Sequence, residues 1–114
     1  KIAQYSLEMV RGDTKYLTVE VSVNGEHQNL LTGDVVTMTV RKAGADGIDA
    51  LIFAKEVSTF EDGKAIIHIE PEDTAEMTDS AYSYDVQIVF DNGDTYTPIW
   101  TSPFLLKGEV SLLG

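Results

Sequence analysis

The stretch that most constrains the fold is residues 81–100, AYSYDVQIVFDNGDTYTPIW. In its first ten residues, large apolar or aromatic side chains stand at every second position: Tyr82, Tyr84, Val86, Ile88 and Phe90. Alternate side chains of a strand point to opposite faces, so the pattern predicts a β-strand with one buried face. Asn92-Gly93 then predicts a tight hairpin turn with two positive φ angles, and a second strand should return through Tyr96 and Trp100. We expect this hairpin to form the centre of the core.

The same alternation recurs along the rest of the chain. It predicts further strands over residues 5–9, 17–23, 36–40, 51–57, 65–69 and 104–110. Turn residues separate several of these strands: Arg11-Gly12-Asp13, Asn24-Gly25 and Glu61-Asp62-Gly63. Seven or eight short strands with such spacing predict an all-β, antiparallel sandwich rather than a parallel α/β sheet. The length of 114 residues predicts a single domain over residues 1–114.

Four connecting segments have their own character. Residues 30–33 should cross one end of the sheets as an apolar bridge, and residues 43–49, AGADGID, should form a mobile loop. Residues 71–77 predict one or two helical turns, because proline suits the first helical position and acidic residues suit a helix N-terminus. Within them, Ala75 and Met77 are expected to fill the end of the core. Pro98 and Pro103 bracket a segment that should be a sheet edge or a bulged crossover.

Composition and charge exclude several function classes. The chain has 8 Lys and Arg against 19 Asp and Glu, a net charge of −11, and hydrophobic residues make up 43%. Binding to nucleic acid needs clustered basic side chains, so the sequence predicts neither a nucleic-acid nor an anionic membrane-surface partner. The absence of cysteine excludes disulfides, zinc–thiolate sites and a cysteine nucleophile. No apolar run approaches the roughly 20 residues of a membrane-spanning helix, so we expect no membrane insertion.

Several candidate sites have simpler structural explanations. His27 and His68 are the only histidines, and neither has a neighbour in sequence that would complete a metal or catalytic pair, so both are predicted to lie at the surface. The acidic loops Asp46/Asp49, Glu61/Asp62, Glu72/Asp73 and Asp91/Asn92/Asp94 supply oxygen ligands for calcium, but none has the ligand spacing of an EF-hand. The Arg11-Gly12-Asp13 tripeptide matches a cell-adhesion motif, yet it stands where a turn is required.

Aromatic residues offer one further possibility. Trp100 and Tyr96, with Tyr5 or Tyr16, could form a platform on which a sugar ring stacks, although aromatic residues also fill β-sandwich cores, which is the interpretation favoured for Trp100. No Gly-x-Ser-x-Gly elbow and no Gly-rich phosphate loop occurs in the sequence. The sequence therefore predicts no catalytic residue, no cofactor-binding residue, no metal ligand and no enzymatic activity.

The order of several motifs resembles that of a known family. The motifs are Gly12-Asp13-Thr14 before a Val-rich strand, LTGDVV at 31–36 before TMTVRK, IEPEDTA at 69–75, YSYDVQ at 82–87 and FLLKGEV at 104–110. In this order they resemble the small immunoglobulin-like β-sandwich domains of phage and prophage virions. Similar domains form the N-terminal part of baseplate upper proteins and of minor tail structural proteins. Tyr82 follows the helical turn that begins at Pro71, where its phenol could bond back to the loop backbone, as in a tyrosine corner.

The resemblance implies a non-enzymatic virion structural protein, a tail or baseplate adaptor assembled in the bacterial cytoplasm. Its partners would be other tail or baseplate subunits or further copies of itself, docking at exposed edges such as residues 98–106 or 51–57. The longer loop around Gly44–Gly47 and the lack of a fibre-like segment favour a connector over a receptor-binding role. One alternative is a bacterial secreted or cell-surface immunoglobulin-like module that binds carbohydrate or a host protein. A third is a calcium-stabilised adhesion repeat.

Overall fold

The computed structural model describes residues 4–43, 49–78 and 81–108 of the chain. These residues form an all-β fold with nine strands and one short helix. The elements in chain order are β1 Leu7–Val10, β2 Lys15–Val19, β3 Val21–Val23, β4 Glu26–Gln28, β5 Val35–Ala43, β6 Asp49–Val57, β7 Ala65–Ile69, α1 Pro71–Thr74, β8 Ala81–Val89 and β9 Thr95–Lys107. The all-β prediction is confirmed. Residues 44–48, the middle of the predicted loop at 43–49, lie outside the described residues, as do residues 109 and 110 of the last predicted strand.

The described strands form three sheets. The largest has five strands in the order β1-β9-β8-β5-β6, while β2 pairs with β7 and β3 with β4. All pairings are antiparallel except that of β1 with β9, where Leu7 lies beside Phe104 and Val10 beside Lys107. The prediction of a purely antiparallel architecture is wrong at this pair. Most of the chain separates β1 from β9, and a connection of that length permits either strand direction, whereas a tight hairpin permits only one.

One hydrophobic core joins the five-stranded sheet to the β2–β7 pair. The alternating residues of β8 are almost fully buried, as predicted, with Tyr84 1% exposed and Val86 and Ile88 0% exposed. Fully buried residues from the neighbouring strand and from β7 meet them: Val36, Met38, Val40, Ala65, Ile67 and Ile69. Period 2 in the sequence therefore correctly predicts which face of β5, β7 and β8 is buried.

The predicted strand over residues 17–23 is wrong as a single element. The chain changes partner at Glu20, so that β2 pairs with β7 and β3 pairs with β4. Val23, expected in the core, is 48% exposed. β4 was not predicted because all three of its residues are polar and exposed, which leaves no alternation to detect.

Two of the predicted turns have the expected backbone. Asn24 and Gly25 adopt φ angles of 54° and 82°, and Asp62 and Gly63 adopt 52° and 72°. The turn at Asn92-Gly93 differs, because only Gly93 has a positive φ, of 94°. There the backbone N–H groups of Phe90 and Gly93 donate to Asp94 and Phe90 carbonyls respectively, both at 2.8 Å. Three residues thus separate the paired ends, and in such a loop only the last residue needs positive φ.

β9 is one strand of 13 residues where two were predicted. Its pairing with β8 shifts register twice, between Tyr84 and Val86 and between Val86 and Ile88. The segment between the two prolines, predicted as a sheet edge or a bulged crossover, is bulged, but it stays within one strand of one sheet and makes no crossover. Each shift adds a residue to β9 and changes the face on which the following side chains lie. As a result Trp100 is 49% exposed, and the expectation that it belongs to the core is wrong.

The helical prediction is confirmed, although α1 is shorter than predicted. Pro71 lies in its first turn, and a capping box links Glu70 with Asp73. Met77 is buried as expected, whereas Ala75 is exposed, so its predicted core role is wrong. The fully buried Thr74 accepts a hydrogen bond at 2.9 Å from the Gly12 backbone N–H, which ties the helix to the turn after β1.

The predicted apolar bridge and the buried tyrosines can each be described at the level of single residues. Of the apolar bridge at residues 30–33, Leu30 is 4% exposed and Leu31 is 66% exposed, so only the first leucine enters the core. Tyr84 makes a bond from a phenol to a distant backbone group, since its hydroxyl donates to the Tyr5 backbone carbonyl. Burial raises the pKa of Tyr84 to about 12.

Among the described residues, no helix has the length and apolar character needed to cross a bilayer.

Candidate ligand-binding groove and sheet edges

A groove of about 290 Å³ lies on the outer face of the five-stranded sheet. Its floor comes from the residues of β5 and β8 that alternate with the buried ones, among them Thr39, Arg41, Asp85 and Gln87. Because Val36, Met38 and Val40 point into the core, their neighbours must point outward. β9 adds Trp100 to the lining. We call this the outer-face groove.

The charged groups in the outer-face groove neutralise each other. Arg41 Nη1 lies 2.7 Å from Asp85 Oδ2, a distance at which the guanidinium donates a charge-assisted hydrogen bond. The two side chains remain 38% and 24% exposed, so each keeps further polar atoms accessible. An arginine has five N–H donors and a carboxylate accepts several bonds, so the pair leaves donors and acceptors free for a ligand.

Hydrogen bonds hold the bulged segment that carries Trp100. The buried Ser102 hydroxyl donates to the Trp100 carbonyl at 2.6 Å and accepts from the Tyr5 backbone N–H at 2.9 Å. Next to it, the Gln4 amide donates to the Thr101 carbonyl at 3.0 Å. The backbone beneath the indole is therefore fixed by the N-terminal segment.

The other aromatic residues of the predicted platform lie elsewhere. Tyr96, Tyr5 and Tyr16 are 44%, 66% and 63% exposed, and none of them lines the outer-face groove. Tyr16 instead stacks on His68, with ring centroids 4.6 Å apart and planes at 14°. Of the four aromatic candidates, Trp100 lines the outer-face groove, whereas Tyr16 lines a separate concave surface that includes Glu56 and His68.

Both histidines lie at the surface, as predicted. His27 is exposed on β4, with Nε2 2.8 Å from Asn29 Oδ1. His68 lies on the outward face of β7, with Nδ1 3.7 Å from Glu70 Oε1. The two residues occupy different sheets, so the structure does not bring them together.

Most of the acidic candidates take part in local structure. Asn92 and Asp94 bond to each other across their turn, with the Asp94 N–H 2.9 Å from Asn92 Oδ1. Asp73 accepts from the Glu70 N–H and lies 2.6 Å from Lys55 Nζ. In the described part of the chain, no three His, Asp or Glu residues are grouped so as to hold a metal ion. Asp46 and the side chain of Asp49 lie outside the described residues.

Glu70 and Glu72 form an exposed carboxyl pair beside α1. A side-chain hydrogen bond from Glu72, followed by its charge, raises the pKa of Glu70. The pKa of Glu72 is lowered, first by a hydrogen bond to its own backbone and then by the bond with Glu70. Both groups are open to solvent, so the pair has none of the enclosure that acid–base catalysis by two carboxyls requires.

The Arg11-Gly12-Asp13 segment forms the predicted turn. Gly12 has a φ of 82°, and the Asp13 N–H donates to the Val10 carbonyl at 3.1 Å. The Arg11 N–H donates to the Lys107 carbonyl at 2.8 Å. The backbone of the tripeptide is thus held by β9 and, through Gly12, by Thr74.

One important residue was missed from the sequence. Asp34 is only 6% exposed, and its carboxylate accepts backbone bonds from Leu31 at 2.8 Å and Asp91 at 2.9 Å. It therefore joins the loop before β5 to the hairpin turn after β8. The signal in the sequence was an aspartate directly after Thr32-Gly33, where a side chain can bond a nearby backbone N–H.

Two of the open sheet edges are those predicted as docking surfaces. β6 is, with β1, an outermost strand of the five-stranded sheet, and β9 is paired with β1 only over residues 104–107. Before residue 104, β9 contains Pro98 and Pro103, which have no N–H to offer. β6 contains no proline and exposes Leu51 at 64% and Ile52 at 38%.

Comparison of the chain with models of known protein families and with curated proteins finds no match. The similarity to virion domains therefore rests on the strand and turn motifs of the sequence. The structure shows an all-β fold with one mixed sheet. The immunoglobulin-type sandwich stays a prediction.

Proposed function

We propose that this chain is a non-enzymatic structural protein of a phage or prophage virion, a tail or baseplate adaptor of immunoglobulin-like type. It acts by contact with other subunits. The order of motifs around the five-stranded sheet supports the family, and one structural observation supports the mode of action. That observation is the open, apolar edge of β6.

β6 fits a docking role because one side is fully used and the other is not. It pairs with β5 from Val57, beside Val36, to Asp49, beside Ala43. No described strand is hydrogen-bonded to its other side, and the unpaired backbone N–H and C=O groups of an edge strand can pair with a partner strand. A segment added there would gain main-chain hydrogen bonds and would cover Leu51.

The two sheet edges that the sequence predicts as docking surfaces differ in how well they are protected against pairing with another strand. Natural edge strands avoid unwanted pairing by prolines and bulges. β9 contains Pro98 and two register shifts against β8, whereas β6 has a single shift, at Ile52. The edge at 51–57 is therefore the better docking surface of the two. Repeated subunits docking in this way would favour a closed ring, such as a threefold assembly.

Co-purification with the products of neighbouring genes tests the adaptor role. We expect those genes to include tail tape-measure, baseplate and holin genes, and one product to form a stoichiometric complex with this chain by light scattering. Leu51→Lys should weaken that complex, or self-association, about tenfold or more, since burying one leucine is worth about 1.5–3 kcal/mol.

The matched control is Tyr16→Lys, which places the same charge at another exposed apolar residue, on the β2–β7 sheet. It should leave assembly unchanged. A strict monomer at high concentration that binds none of the neighbouring products would contradict the adaptor role. Equal losses from Leu51→Lys and Tyr16→Lys would contradict the assignment to β6.

A further inference from the structure

We propose that the outer-face groove binds a neutral saccharide, with Trp100 as the stacking surface. This site is separate from the edge of β6 and does not rest on the adaptor function. The proposal combines three observations: a concave surface, an exposed indole at its side and a set of polar side chains that carries no net charge.

The groove is of a size that suits a short glycan segment. Its volume of about 290 Å³ lies just below the roughly 300–1,000 Å³ typical of small-molecule sites. It is built on paired strands rather than on a loop. β5 and β8 are hydrogen-bonded throughout, with Thr39 beside Asp85 and Thr37 beside Gln87. The polar groups are therefore held at fixed spacing before a ligand arrives, which lowers the entropic cost of binding.

The side chains match the two surfaces of a sugar ring. A pyranose presents C–H groups on its faces and hydroxyls around its rim. The indole of Trp100, 49% exposed, offers a flat apolar face for the C–H groups. Gln87 supplies an amide that both donates and accepts, and Asp85 and Arg41 supply planar groups that bond two neighbouring hydroxyls at once.

Charge decides between neutral and acidic sugars. The Arg41–Asp85 contact at 2.7 Å leaves the groove with no unpaired cation among the lining residues named here. The whole chain has a net charge of −11, which repels anionic ligands. A neutral oligosaccharide is the ligand that meets no electrostatic penalty.

A protein partner fits this surface less well than a saccharide does. A stable protein interface buries about 800 Å² on each partner and has an apolar centre. The groove is small, and apart from Trp100 its named lining consists of threonines, Gln87 and an ion pair. Binding of a neighbouring subunit here instead of sugar is an outcome of the test below.

Trp100 is the only tryptophan, so its fluorescence reports directly on this site. The probes are four neutral oligosaccharides: cellohexaose, maltohexaose, chitohexaose and mannohexaose. We expect a saturable change in indole emission with at least one of them and no change with polygalacturonate, an acidic polymer.

Variants then locate the binding. Gln87→Ala should weaken the fluorescence titration about fivefold, the effect of losing one ligand hydrogen bond. Trp100→Ala, followed by chemical-shift titration of the backbone amides, should abolish binding while the spectrum stays dispersed. The matched control is Tyr16→Ala, which removes another exposed aromatic ring outside the groove and should bind as the unmodified chain does.

Four results would overturn the proposal. They are no saturable response to any of the neutral probes, binding of polygalacturonate alone, binding that survives Trp100→Ala, and amide shifts caused by a neighbouring subunit but by no sugar. The first three results do not affect the proposal for the β6 edge, because Leu51 lies outside the groove. A neighbouring subunit bound in the groove would contradict docking at β6 alone.

Discussion

At the scale of single residues, Tyr84 makes contacts that its place in the alternating pattern does not predict. Its ring packs edge-on against Phe104, with centroids 6.2 Å apart, and Phe104 packs in the same way against Phe53 at 6.3 Å. Its phenol donates to the Tyr5 carbonyl, across 79 residues of chain. One side chain therefore joins the core to the segment that enters β1.

The raised pKa of Tyr84 predicts a loss of stability at alkaline pH. In the unfolded chain the phenol ionises near pH 10, whereas in the folded chain burial raises its pKa to about 12. Between these values the folded state binds more protons than the unfolded state, so the free energy of unfolding falls as pH rises. Urea unfolding at pH 8, 10 and 11 should show this decline.

Tyr84→Phe separates this effect from other titrating groups. The free energy of unfolding of the variant should be about 1 kcal/mol lower at pH 8, which is the contribution of one hydrogen bond. Above pH 10, this free energy should depend less on pH than that of the unmodified chain. Tyr96→Phe, at an exposed ring, should behave as the unmodified chain at every pH. If the free energy of unfolding fell equally steeply with pH above 10 with and without the Tyr84 hydroxyl, ionisation of Tyr84 would not be the cause.

At the scale of elements, the loop before β5 and the turn after β8 act as one unit. Asp34 accepts backbone hydrogen bonds from both segments. Beside it, Gly33 has a φ of 102°, and a Cβ added there would stand 2.4 Å from Asp91 Oδ1 and 2.9 Å from Asp91 Cβ. The loop requires glycine both for its backbone conformation and for the close approach of the neighbouring turn.

Gly33→Ala should therefore destabilise the protein by about 3 kcal/mol or more, combining backbone strain with a displaced Asp91. Gly93→Ala is the matched control, since Gly93 has a similar φ of 94° but nothing within 4 Å of an added Cβ. It should cost only the strain of a positive φ, about 1–2 kcal/mol. Urea unfolding measures both values, and equal losses would mean that contact with Asp91 contributes nothing.

At the scale of the whole molecule, the charge is the dominant feature. With 19 acidic and 8 basic residues, most carboxylates of the folded chain repel one another. The described ion pairs are few, and those of Lys64 with Glu20 at 3.3 Å and Lys107 with Glu8 at 3.6 Å are exposed. Such pairs contribute little, so they do not offset the repulsion.

Raising NaCl from 10 mM to 500 mM at pH 7 should increase the Tm by about 3–5 °C, because salt screens this repulsion. Replacing the exposed Glu26 by Gln removes one like charge and should make the dependence on salt shallower. Differential scanning calorimetry measures both. A Tm that stays constant or falls with salt would contradict a net repulsive surface.

Local sequence pattern is sufficient to predict several elements of this fold. β5, β7, β8 and α1 follow from the sequence, because one face of each is buried and the alternation or the capping residues mark it directly. The turns at Asn24-Gly25 and Asp62-Gly63 follow as well, since their residue types tolerate positive φ. Candidate surface residues such as His27 and His68 were also placed correctly.

The sequence by itself determined that this chain forms strands and which face of the central ones is buried, because alternation is a property of adjacent residues. Tertiary structure alone decided the parallel pairing of β1 with β9, the change of partner at Glu20 and the bond between Asp34 and Asp91. These features join residues far apart in the chain. The exposure of Trp100 belongs with them, since Trp100 lies between two register shifts against β8 that no local pattern records.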